Sequence, residues 1–198
     1  TLMEIPSRPE SWKATLAFLD RINLEGHQVR GQVPSRPVGF HMGLELSLNP
    51  ITTRPSYIEI ADLPLAERVA ILRDPVVKAT ILAEESVQHP QALFNIACAN
   101  LDSVAELGDP PDYFPALEDL LGARAEREGT TALSLAYDLM LEKEGRNILY
   151  LPSANYATRT PLPIHCMLTH PHTAIGLGDG GAHYGFICDA GVTSPLLA

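Results

Sequence analysis

Between Leu151 and Ala198 only three side chains carry a formal charge: Arg159, Asp179 and Asp189. Asp179 stands in the string GLGDGGAH, directly after the short apolar segment Thr173 to Leu177. That pattern places a carboxylate just past a buried strand, among glycines that allow close backbone approach. In parallel α/β sheets and barrels, ligands meet the carboxyl ends of the strands. A carboxylate there without a basic neighbour in sequence is costly to bury unless a metal ion or other cation compensates it. Asp179 is therefore a candidate metal ligand, proton carrier or both. The competing reading is an Asx-turn residue that shapes a glycine-rich loop. His183, a little further on, is a candidate ligand contact or a hydrogen-bonding partner within the same loop.

Other patterns compete for attention. Gly176, Gly178 and Gly181 satisfy G-x-G-x-x-G after a strand, the spacing of a dinucleotide-binding loop. That loop normally opens a helix with small apolar residues, whereas here an Asp fills its interior and Tyr184, Gly185 and Phe186 follow. His170 and His172 form an H-x-H, but they precede the strand, at its amino end, away from the face where barrel sites form. His170 reads as a helix C-terminal residue favoured by the dipole and His172 as a surface or packing residue. In His27 to Val33, Gln28, Arg30 and Gln32 alternate with Val29, Gly31 and Val33. Gln32 and Arg36 lie nearest the carboxyl end, and Arg36 is a candidate for a bidentate fork on a substrate carboxylate. Cys98, Cys166 and Cys188 lack a base at nucleophile spacing, and no G-x-S-x-G is present.

These residues need elements to hold them. Ser7 and Glu10 form a capping-box pair around Pro9, and Trp12, Leu16, Leu19 and Ile22 recur at helical spacing up to Gly26. The strand of residues 27–33 follows and Pro34 ends it. Residues 40–160 read as a mainly helical insertion. Asp62 and Pro64 open a helix to Arg73, Asp74 and Pro75 open another to Ser86, and Leu117 to Glu128 is a third. Thr131 to Glu144 is a fourth, with Ala132, Leu135, Ala136 and Leu139 on one face and Gly145 as its stop. A short strand is expected over Asn147 to Leu151. Thr160 then caps a helix to Thr169, and Thr173 to Leu177 is the last strand. The expected division is 1–39 (helix and strand), 40–160 (helical insertion) and 161–198 (helix, last strand and glycine-rich loop).

The composition bounds the function. The chain has 198 residues, with 24 acidic against 14 basic side chains and a net charge of −10, which argues against a nucleic-acid partner. Hydrophobic residues make up 45%, enough to build a core. No apolar run reaches the length of a membrane span, and no secretory leader is visible. With three scattered cysteines the expectation is a cytoplasmic protein without a disulfide framework. The first residue, Thr1, and the apolar ending Pro195 to Ala198 lead us to expect a piece of a longer polypeptide.

The segment HPHTAIGLGDGGAHYGFICDAG, His170 to Gly191, resembles the last-strand motif of amidohydrolases of the N-acyl-D-amino-acid deacylase (D-aminoacylase) type. GHQVRGQVPSRPVG, Gly26 to Gly39, is similar to the preceding barrel strand of that family, and LPLAERVAILRDP, Leu63 to Pro75, to its inserted helical region. The resemblance implies an α/β fold, an incomplete (β/α)8 TIM-barrel fragment holding the last two barrel strands and a mainly helical insertion. It implies a zinc-dependent hydrolase of non-peptide C–N bonds, acting on a small N-acyl (D-)amino acid. Asp179 then serves as general base and acid beside the metal, with Arg36 and His183 as substrate contacts. The family's zinc ligands lie mostly on earlier strands that this chain does not include, so zinc would be held mostly from outside it and the piece alone would be inactive. Two other readings stand beside this one: a non-catalytic helical interaction domain, and nucleotide binding through the glycine-rich loop.

Overall fold

Proline and short polar caps start most helices here, and the computed structural model, which describes residues 1–176 and 185–187, shows where each begins. Helix α1 spans Ser11–Leu24 and buries Trp12, Leu16 and Leu19. Its N-cap is Glu10, with no side-chain capping bond, so the expected Ser7–Glu10 box does not form. Ile5 and Arg8 instead make an isolated antiparallel bridge. Pro9 is the cause, because the residue before a proline is pushed out of helical geometry. Strand β1 is short, Gly31–Val33, and the polar alternation of residues 27–30 is not part of it.

Strand β2, Val38–Met42, was not legible beforehand. After it come α2 (Pro55–Ile58), α3 (Leu65–Leu72) and α4 (Pro75–Ala83). The Asp74 carboxylate accepts from the Val76 amide at 2.8 Å and caps α4. Helix α5 (Ala92–Ala99), a 3₁₀ turn and the two-residue strand β3 (Ala105–Glu106) follow. The helix expected from Leu117 splits into a 3₁₀ turn, Leu117–Asp119, and α6, Leu121–Glu128, which stops at Gly129 in the left-handed region. Helix α7 covers Ala132–Met140 and is capped by Thr131, whose hydroxyl accepts from the Ser134 amide at 3.1 Å.

Helix α7 ends earlier than its periodicity suggests. The turn α8, Glu142–Gly145, holds Lys143, Glu144 and Gly145 at φ of 51°, 57° and 79°. Packing explains it: a Cβ on Gly145 would stand 2.5 Å from Val69 Cγ2, so the chain can pass there only as glycine. Strand β4 (Leu149–Ala154), helix α9 (Leu162–Leu168) and strand β5 (Thr173–Ile175) complete the described elements. The N-cap of α9 is Pro161, with no side-chain capping bond, so Thr160 is not the cap its sequence position suggests; its hydroxyl instead accepts from the Leu162 amide at 3.3 Å, one residue ahead of the cap.

The fold is mixed α/β. β1 and β5 pair in parallel, Gly31 opposite Thr173 and Val33 opposite Ile175. A second sheet has the order β2-β4-β3, with β3 antiparallel to β4. The chain divides into two compact units, Thr1–Gly39 with Pro152 onward, and Phe40–Leu151. The first unit has a core of Leu2, Trp12, Leu16, Leu19, Val33 and Met167. The second gathers Leu44, Ile51, Tyr57, Val69, Leu72, Ile81, Tyr137 and Met140. β5 is not the buried strand its apolar sequence suggests, since Ala174 is exposed and Ile175 is 54% exposed. Among the described residues β1 is its only strand partner.

Within the second unit, Glu106 on β3 accepts from Arg124 Nη1 at 2.7 Å and Asn147 Nδ2 at 3.1 Å. Burial acts to raise its pKa, but these two donors and the charges of Arg124 and Lys143 outweigh it and hold the carboxyl below its ordinary value. A depressed folded-state pKa contributes stability that is present above the ordinary carboxylate range and is lost as pH falls through the folded value. Glu106→Gln is therefore expected to cost stability at neutral pH and to flatten the acid limb. Urea midpoints measured from pH 7 to pH 3 check this, and parallel curves for the two proteins would refute it.

Candidate functional site

The parallel β1–β5 pair sets the geometry of the first unit. The Gly31 amide donates to the His172 carbonyl at 2.9 Å, and the Gly176 amide to the Val33 carbonyl at 3.0 Å. The two strands thus run out at the same end, where β1 leads to Arg36 and β5 leads to residues 177–184. On the other edge of β1 the Leu2 amide donates to the Gln32 carbonyl at 2.7 Å. Gly176 lies so close to Gln32 that a Cβ would sit 2.5 Å from Gln32 Cγ. That contact gives Gly176 a packing reason independent of any cofactor loop.

Arg36 is 3% exposed. Its Nη1 donates to the Pro37 carbonyl at 2.8 Å, which occupies one of the five guanidinium N–H donors. The Arg36 carbonyl accepts from Asn155 Nδ2 at 3.5 Å. Asn155 is fully buried and anchors the N-terminal segment: its Oδ1 accepts from the Glu4 amide and its own amide donates to the Glu4 carbonyl, both at 2.8 Å. Glu4 Oε1 accepts from the Thr158 amide at 3.1 Å. A buried polar group of this kind was not singled out in the sequence, because Glu4 and Asn155 are separated by most of the chain.

Asp179 and His183 lie outside the described residues, as does Cys188. His170 follows directly on the C-terminal end of α9, and both His170 and His172 stand at the amino end of β5. Asp20 Oδ1, on α1, lies 3.3 Å from His170 Nε2 and 3.8 Å from His172 Nε2. His170 Nδ1 accepts from the His172 amide at 3.2 Å. These are hydrogen-bond and ion-pair distances that tie α1 to the α9–β5 turn. Among the described residues no group of three His, Cys, Asp or Glu side chains could hold a metal ion.

The described cysteines, Cys98 and Cys166, are free thiols. Burial pushes the Cys98 thiol above its ordinary value, against the opposing effects of a Thr53 hydrogen bond and the Arg54 charge. A protonated buried thiol is a poor nucleophile. No described helix is long and apolar enough to cross a membrane.

A cavity in the second unit was missed in the sequence. It has a volume of about 420 Å³, and Tyr57 and Arg68 stand on its wall. No sequence motif singles out Arg68, which follows Glu67 within α3. Comparison with family models, with curated proteins and with solved structures yields no match.

Proposed function

We propose that the chain is the C-terminal part of the barrel of a metal-dependent amidohydrolase of the N-acyl-D-amino-acid deacylase type, cleaving the C–N bond of an N-acyl amino acid. In this reading β1 and β5 are the last two strands of a (β/α)8 barrel and residues 40–160 are an insertion between them. The observation that supports it is the parallel β1–β5 register, Gly31 with Thr173, which sends Arg36 and the chain leading into GLGDGGAH off the same end of one sheet. Ligands meet parallel α/β sheets at that end.

Zinc held mostly by segments outside this chain supplies a Lewis acid that brings the pKa of water towards 7. Asp179 accepts the proton of the attacking water and returns it to the leaving amine nitrogen, so that the C–N bond breaks as the new C–O bond persists in the acid product. Arg36 meets the substrate carboxylate and His183 makes a further polar contact. The reading makes two demands on an assay with N-acetyl-D- and N-acetyl-L-amino acids. The present chain should not release free amino acid, and the same chain joined to its upstream metal-bearing strands should do so in a zinc-dependent way. A zinc-loaded longer protein that hydrolyses none of them would overturn the reading.

A further inference from the structure

The cavity in the second unit carries an unusual charge pattern. The chain has 24 acidic and 14 basic residues, yet none of the residues around this cavity is acidic. Arg68 is the one formal charge on its wall, and among the described residues it forms no ion pair. Its Nη1 donates to the Tyr57 hydroxyl at 2.9 Å, and Asn49 Nδ2 donates to the same oxygen at 2.7 Å. Both lone pairs of the phenol oxygen are thus engaged, and its own O–H has no acceptor among the described residues. Arg68 Nε is likewise buried without a hydrogen-bond partner. Native structures rarely leave buried donors unmatched. Two neighbouring donors without acceptors, on a wall without carboxylates, call for a ligand group that only accepts.

We propose that this cavity binds a small amphiphilic carboxylate, the head group on Arg68 and Tyr57 and a short aliphatic chain on the apolar wall. A carboxylate accepts through both oxygens and donates through neither, and it matches the guanidinium fork in shape and charge. Leu46, Ile58, Ala61 and Val87 provide the apolar wall. The volume of about 420 Å³ lies in the ordinary range for small-molecule sites, roughly 300–1,000 Å³. The inference does not rest on the hydrolytic reading, because it concerns binding alone in residues 46–90.

The test is calorimetric titration of the full chain with hexanoate, hexylamine and hexanol, each binding event mapped by the Arg68 Nε–H resonance in NMR spectra. Hexanoate is expected to saturate one site and shift that resonance, while hexylamine leaves it unchanged and hexanol binds more weakly. Arg68→Gln should weaken hexanoate by about tenfold or more, the loss typical of a charge-assisted hydrogen bond. Because Arg68 also supports Tyr57, a second variant, Ile58→Asp, keeps the test open if the first fails to fold. Ile58 is 49% exposed, so the change is tolerable, and it sets a carboxylate on the wall that should compete with hexanoate for Arg68. Failure of hexanoate to saturate the native chain, equal binding of hexylamine, or undiminished affinity in a folded variant would each overturn the proposal.

Discussion

Asp179→Asn is expected to lower kcat for N-acyl amino acid hydrolysis by about 10²- to 10⁴-fold in a protein that carries the complete barrel, the usual contribution of a positioned acid–base group. Asn is nearly isosteric with Asp and makes the same Asx-turn hydrogen bonds, so a loop that needs only shape keeps it. What Asn cannot do is take a proton from water at neutral pH. The substitution therefore separates the two readings of this residue. A proton carrier loses turnover while unfolding midpoints stay put, whereas a loop-shaping residue loses neither. The acid limb of the kcat profile should disappear with the carboxylate as well. Steady-state kinetics across pH, with thermal unfolding as the control, measure both, and near-native turnover by the Asn variant would remove Asp179 from the mechanism.

The largest stability effect is expected at Tyr137. This side chain is fully buried on α7 and packs in the core with Val69, Leu72, Ile81 and Met140. Its hydroxyl donates to the Leu72 carbonyl, the last residue of α3, at 2.7 Å. Burial raises the phenol pKa, and the charges of Asp138 and Asp74 raise it further, so the group remains a neutral donor across the working pH range. Tyr137→Ala removes a ring from a packed site and should cost about 3–5 kcal/mol. Against a typical domain stability of roughly 5–15 kcal/mol, that is enough to leave the second unit partly unfolded. Tyr137→Phe keeps the ring and should cost about 1 kcal/mol, the net value of one hydrogen bond. Urea unfolding followed by tyrosine fluorescence and circular dichroism distinguishes the two, and equal losses would mean that the Leu72 contact, rather than the packing, dominates.

Much of the helical text could be read directly. Asp74 before Pro75 and Thr131 before an apolar face both cap as their chemistry dictates, because capping is decided within three residues of the helix start. The apolar face of α7 is buried at the residues its spacing indicated, Ala132, Leu135, Ala136 and Leu139. The failures share a cause. Ser7 and Glu10 have the right types for a capping box, but Pro9 between them redirects the backbone into a bridge of Ile5 with Arg8. Helix α7 stops at Met140 rather than Glu144 because the following turn must bring Gly145 against Val69, a contact from another helix.

The candidate sites divide in the same way. Asp179, His183 and Arg36 stood out because an isolated charge or an imidazole near a glycine-rich stretch is visible in one dimension. The place of Arg36, buried with its Nη1 on the Pro37 carbonyl and its backbone held by Asn155, depends on a residue far along the chain. The carboxylate-accepting cavity was invisible in the sequence. Its signature is two donors, Tyr57 and Arg68, left without acceptors, and only coordinates show which hydrogen bonds have been made.

By itself the sequence determined the mixed α/β character, the helix starts set by Asp, Thr and Pro, the acidic balance and the charge-poor C-terminal stretch around Asp179. Those properties follow from side-chain chemistry acting over a few residues. Tertiary structure alone decided that Val38–Met42 is a strand, which hydrogen bonds join β1 to β5 in the parallel register that only the family resemblance had led us to expect, and that Arg68 faces a cavity without a carboxylate. Strand pairing and counter-ion choice are settled by groups distant in sequence, whose backbone hydrogen bonds and charges must be satisfied after the chain has brought them together.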